Sequence, residues 1–106
     1  MQRFQLDAMK GGWFVGDFAP TALRTSAAEV CCKHYRAGDA EARHVHRVAT
    51  ETTLIVSGRV RMEGACYGAG DIIRLESGEA TDFLALEDTV TVVVKLPSVI
   101  GDKYPA

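Results

Sequence analysis

Turn signals interrupt this chain so often that only short extended segments fit between them. Glycines and small polar clusters recur at close intervals, and the runs they separate are rich in Val, Ile, Thr and aromatic residues, the composition of strands. Eight strands are expected: Trp13–Gly16, Glu29–Arg36, Arg43–Arg47, Thr52–Ser57, Arg59–Glu63, Asp71–Leu75, Thr81–Leu86 and Thr89–Lys95. Ser57-Gly58-Arg59 reads as a hairpin tip, and Gly68-Ala69-Gly70-Asp71 as a second tight connection. Only Leu6–Gly11 and Ala19–Ala28 have room for a helical turn, and neither carries a sustained apolar stripe. With 106 residues, the chain has length for one domain. Many short strands in one small domain imply an all-β sandwich, jelly roll or barrel.

Composition narrows the function. Hydrophobic residues make up 47% and charged residues 25%, which matches a folded domain and excludes a disordered one. At this length about 65% of the unfolded surface is buried, so a homodimer is an expected supplement to a modest core. Twelve basic against fourteen acidic residues, net charge −2, leave no electrostatic footprint for nucleic acid and no basic run for a membrane surface. The longest apolar stretch, Val90 to Val94 with Thr91 inside it, is far short of the ~20 residues of a membrane span. Residues 1–7 lack a secretory pattern, so a cytoplasmic address is expected. Cys31, Cys32 and Cys66 have no metal-type spacing and are expected to be buried, reduced thiols. Glycine-rich phosphate cradles are missing, which disfavours nucleotide chemistry.

The chemistry concentrates between Gly38 and Gly58. In an extended strand His44 and His46 point the same way, with α-carbons about 6.6 Å apart, so two imidazoles converge on one ion. Four residues later Glu51 brings a carboxylate from the next strand. Neutral imidazole with carboxylate suits a divalent transition metal, Fe, Mn, Ni or Zn. The pattern Gly-x5-His-x-His-x4-Glu-x6-Gly, met by Gly38, His44, His46, Glu51 and Gly58, has roughly a 10⁻⁵ chance of arising at ordinary residue frequencies.

This spacing resembles the first motif of the cupin superfamily, whose fold is a small double-stranded β-helix, or jelly roll. The resemblance covers about residues 29–95. A second cupin motif begins with Gly-Asp, as in Gly70-Asp71, and continues through Pro-x-Gly to a histidine that supplies a fourth ligand. Here Glu76 replaces the proline, Gly78 fits, Thr81 stands where the histidine belongs, and Ala85 replaces an asparagine. The resemblance implies a metal held by His44, His46 and Glu51, more weakly than by a full ligand set. It also implies a homodimer, and chemistry on a small molecule: dioxygenation, or isomerase- and lyase-type reactions on sugars and small acids, with the metal as Lewis acid.

Alternation places other residues around such a site. Thr81, Phe83 and Ala85 share one face, and Thr53 and Ile55 follow Glu51 on another. Thr53, Thr81 and Phe83 are therefore candidate substrate contacts. In Glu29–Arg36 alternation gives two sets, Cys31-Lys33-Tyr35 and Val30-Cys32-His34-Arg36, neither clearly apolar, and Tyr35, with Lys33 beside it, is a further candidate contact. No residue stands out as a general base. His34 is assigned no role, Lys95 is expected as a solvated charge at a strand end, and Trp13 and Phe14 as core or dimer packing. The tail from Leu96 is expected to wrap the surface. Two other functions fit the same residues: a small-ligand-binding module without catalysis, and a barrel whose histidines only make hydrogen bonds.

Overall fold

Burial alternates with period two along the long strands, and this alternation decides which side chains meet inside. The computed structural model describes residues 1–106 and contains eleven strands in two sheets. They are β1 Trp13–Gly16, β2 Leu23–Arg24, β3 Glu29–Tyr35, β4 Ala40–Val45, β5 Thr50–Ser57, β6 Arg59–Met62, β7 Ala65–Gly68, β8 Ile72–Leu75, β9 Ala80–Ala85, β10 Thr89–Leu96 and β11 Tyr104–Pro105. One sheet runs β2-β1-β3-β10-β5-β8 and the other β11-β4-β9-β6-β7. Only the β1–β2 pair is parallel.

All eight expected strands are present, with ends displaced by up to three residues. Three further strands escaped the sequence pattern. β7, Ala65-Cys66-Tyr67-Gly68, has no β-branched residue and lies at a sheet edge. β2 and β11 have two residues each and draw their order from their neighbours. β2 falls within Ala19–Ala28, which forms no helix; near the N-terminus only two 3₁₀ turns form, Leu6–Ala8 and Lys10–Gly12. No helix is long and apolar enough to cross a membrane.

Strand β10 lies between β3 and β5, and its register builds a lattice on the inner face. Lys95 is level with Glu29 and Glu51, Val93 with Cys31 and Thr53, and Thr91 with Lys33 and Ile55. The ambiguous face of β3 is thereby settled, because Glu29, Cys31, Lys33 and Tyr35 point inward. Opposite, β4 pairs with β9 so that His44 is level with Thr81. The β5–β6 hairpin turns at Gly58, at φ +93°. A Cβ there would lie 2.3 Å from Thr89 Oγ1 and 2.4 Å from the Asp88 carbonyl oxygen, so only glycine fits.

The apolar core fills one end of the barrel. Ile55, Val60, Met62, Phe83 and Ala85 are buried together, with Tyr35, Tyr67, Ile73 and Leu75 packed around them. Each fully buried side chain of this size contributes about 1.5–3 kcal/mol. The other end is lined by polar groups. Cysteine burial is uneven: Cys31 is buried, Cys32 half-buried and Cys66 exposed on edge strand β7, so the expectation of three buried thiols holds for one. The tail also departs from a surface wrap. Ser98 and Asp102 are buried, and β11 extends the second sheet beside β4.

Candidate metal centre and ligand cavity

His44 is the penultimate residue of β4, His46 lies one residue beyond its end, and Glu51 is the second residue of β5. The turn joining these strands is clamped from the tail. The Asp102 carboxylate accepts backbone N–H bonds from Arg47 at 2.8 Å, Val48 at 3.2 Å and Ala49 at 2.9 Å. Burial works to raise the Asp102 carboxyl, but these three donors outweigh it and hold the group below its usual range. From the other side, the Gly78 N–H donates to the His46 carbonyl at 2.8 Å.

The hydrogen bonds of the two imidazoles define their tautomers. His46 Nδ1 donates to the Asp102 carbonyl, and His44 Nδ1 donates to the Ala42 carbonyl at 2.9 Å. Each neutral ring therefore carries its proton on Nδ1 and keeps a lone pair on Nε2, the arrangement that prepares histidine for a metal. The rings meet edge to face, with centroids 5.3 Å apart. His46 Nε2 is buried, lacks a hydrogen-bond partner and lies 3.5 Å from Glu51 Oε1. A neutral His46 thus points a lone pair at an anionic oxygen, and either a proton on Nε2 or a cation between the two groups satisfies both. The carboxylate draws protons to His46 and raises its pKa against the opposing effect of burial. Burial raises the Glu51 carboxyl, but His46, Lys95 and His44 more than offset it, and the net shift is downward.

This donor set fits a divalent metal in residue type, tautomer and charge. As the side chains stand, no three His, Cys, Asp or Glu groups converge tightly enough to form a complete ion cage. The tight element is the His46–Glu51 pair, with His44 beside it.

A cavity of about 250 Å³ opens from this pair. Tyr35, Thr53, Thr81 and Phe83 all line it, together with His44, His46 and Glu51. Thr81 donates its hydroxyl to the Asp82 carbonyl at 2.7 Å, so its proton is committed. Tyr35 packs on Phe83 with ring centroids 4.5 Å apart and reaches Glu41 Oε2 at 3.4 Å. Burial, then the Glu41 charge, raises the Tyr35 pKa far above its usual value, so this phenol is a donor.

Several lining residues were not foreseen. Lys95 is no solvated end-charge: its Nζ is 3.2 Å from Glu29 Oε1 and its side chain is 11% exposed. Its signal was the inward period of Thr89, Thr91, Val93 and Lys95. Trp13 is not buried in the core but half-buried beneath the Lys33 and Lys95 ammonium groups. Glu41 and Lys103 complete the rim 3.8 Å apart, and nothing local in the sequence marks them. His34 is exposed on β3, outside this cavity.

Solved structures share the architecture. A conserved protein with a double-stranded β-helix domain from Klebsiella pneumoniae superposes with TM-score 0.70 at 23% identity, covering 94% of this chain and 88% of that one. KdgF from a Halomonas species gives TM-score 0.64 at 21% identity, over 71% of this chain and 74% of that one. A sugar phosphate isomerase of the cupin superfamily from Silicibacter pomeroyi gives 0.63 at 18% identity, over 69% and 52%. The chain has the cupin fold. No family model and no curated protein matches the sequence. In this cupin barrel the first-motif residues stand at the mouth, and Thr81 occupies the strand position level with His44.

Proposed function

We propose that this cupin binds a divalent transition metal, Fe, Mn, Ni or Zn, through His44, His46 and Glu51, and acts on a small oxygen-bearing molecule in the adjoining cavity. The observation that carries this reading is the buried, unpartnered His46 Nε2 facing Glu51 at 3.5 Å. A bound divalent cation supplies Lewis acidity toward a ligand oxygen.

The chain's own residues do the rest. The Asp102 clamp holds the β4–β5 turn and with it the relative positions of His46 and Glu51. Tyr35 offers a phenolic donor, Thr53 a hydroxyl, and Thr81 its lone pairs. Phe83 closes the cavity on its apolar side. A structural neighbour named as a sugar phosphate isomerase lends support to isomerase- or lyase-type chemistry over dioxygenation. Three free cysteines fit a reducing cytoplasm. The second reading, a module that binds a small ligand without catalysis, is favoured by Thr81 at the fourth-ligand position.

The test is elemental analysis by mass spectrometry of tag-free protein purified without chelators, beside the His44→Ala/His46→Ala double variant. Near-stoichiometric Fe, Mn, Ni or Zn that vanishes in the variant supports the metal site. Protein that is metal-free and takes up none on titration overturns it and leaves the binding module.

A further inference from the structure

Two buried side-chain polar atoms lack a hydrogen-bond partner, and both belong to residues lining the same cavity. One is His46 Nε2, already accounted for. The other is Thr91 Oγ1, on a residue 1% exposed in the middle of β10. An unsatisfied buried hydroxyl costs about 1–3 kcal/mol, and valine would fill the space without that cost. Its neighbour two residues earlier shows the difference. Thr89 donates to the Glu87 carbonyl at 2.9 Å and lies 3.3 Å from the Arg59 carbonyl. Thr91, level with Lys33 and among the residues lining the cavity, has no partner within the protein.

The groups around Thr91 say what enters. Lys33 Nζ and Lys95 Nζ lie 5.6 Å and 5.1 Å from the centroid of the Trp13 ring, so both ammonium groups lie against one indole. Lys33 meets Glu41 only at 3.7 Å, a contact that leaves its N–H donors free. Three lysines, 33, 95 and 103, line the cavity with four carboxylates, those of Glu29, Glu41, Glu51 and Asp102, a balance of one negative charge. A divalent cation at the histidine end therefore leaves an excess of positive charge. No arginine lines it, so the forked donor suited to phosphate is missing. At about 250 Å³ the cavity lies at the small end of ligand sites.

We propose that Lys33, Thr91 and Lys95 form a carboxylate subsite, and that the ligand is a small hydroxy- or oxo-acid. Its carboxylate lies against the lysines and Thr91, and its hydroxyl or oxo oxygen points to His44, His46 and Glu51. The orientation and the net positive charge rest on the metal reading above; the contacts from Lys33, Thr91 and Lys95 do not.

The test is calorimetric titration of zinc-supplemented and chelator-treated protein with malate, 2-oxoglutarate and glucuronate, against erythritol, glucose and glycerol 3-phosphate. The variants are Lys33→Gln and Thr91→Val, with zinc content and unfolding temperature measured for each. At least one carboxylate is expected to bind 10-fold or more tightly than the neutral probes, and to weaken 10-fold or more in both variants. Thr91→Val should unfold at the same or a higher temperature, which separates a binding role from a structural one. Carboxylate affinity unchanged in the variants, or equal binding of neutral probes or the phosphate ester, overturns the subsite. So does binding that needs zinc but ignores Lys33, because the carboxylate would then sit on the metal. Stoichiometric zinc without carboxylate binding sinks the subsite alone. Lysine-dependent carboxylate binding without zinc uptake upholds the subsite and sinks the metal reading.

Discussion

The two ends of the barrel use the same strands in opposite ways. Along β5 the inward residues run from Glu51 and Thr53 to Ile55, and along β9 from Thr81 to Phe83 and Ala85. At the apolar end, burial itself stabilises, and Ile55, Val60 and Phe83 are held by packing alone. At the mouth, Glu29, Lys95, His46 and Asp102 are buried too. There desolvation opposes the fold, and each charge must find a partner: Lys95 with Glu29, and Glu29 with the Ser98 hydroxyl at 2.8 Å. The contrast shows that stability and chemistry are divided along single strands. Rigidity generated at one end holds polar groups in place at the other.

The sharpest way to break this division is to weaken one end and read the other. Ile55→Ala should cost about 2–5 kcal/mol, as a buried aliphatic truncation does, visible as a lower urea midpoint. The metal content per folded molecule should be unchanged. A loss of metal in parallel with stability would mean the ends are not separable. Asp102→Ala acts at the mouth. Stripping the acceptor from three turn N–H groups should cost about 1–3 kcal/mol and also weaken metal binding by about 10–100-fold, because the tail carbonyl orients His46. Zinc competition with a chromophoric chelator reads the second effect, and an unchanged affinity would show that the clamp serves folding only.

A smaller effect follows from Cys31. Burial pushes its thiol up to about 12 from an ordinary value of 9.0, against a lesser lowering by Lys33. The unfolded chain therefore releases this proton first as pH rises. Stability is intact below about pH 8.5 and falls above it, by about 1.4 kcal/mol per pH unit, until the folded thiol titrates. Urea midpoints between pH 8 and 10 should fall in the native chain and flatten in Cys31→Val. Iodoacetamide should label exposed Cys66 rapidly and Cys31 only after unfolding.

What the sequence made legible was everything with a local period. Alternation put Thr53, Thr81 and Phe83 inside, while Tyr35 needed the β3–β10 register, and the His-x-His-x4-Glu spacing put the candidate ligands at one turn. Groups whose partners lie far along the chain stayed hidden. Asp102 caps a turn 53–55 residues away, and an irregular tail offers no period from which to infer it. Lys95 stood at a strand end, where charge usually meets water; only its register against Glu29 and Glu51 shows that this end is the cavity wall. Trp13 reaches the cavity through a β1–β3 pairing with a register shift between Trp13 and Val15, which no strand pattern encodes.

Thr81 gives the finest test of how the two motifs divide the labour. It is level with His44 across the β4–β9 pair, where facing Cβ atoms lie about 4.5–5.5 Å apart. Its hydroxyl proton already goes to the Asp82 carbonyl, which leaves only weak donor oxygen toward an ion. An imidazole at this position is a better ligand for the same metals. Thr81→His should therefore tighten zinc binding about tenfold, or about 1.4 kcal/mol, with little change in unfolding temperature of the metal-free protein. Unchanged affinity would place the ion away from the face shared by His44 and residue 81. The His46–Glu51 pair alone would then hold it, and the second strand pair would serve the ligand rather than the metal.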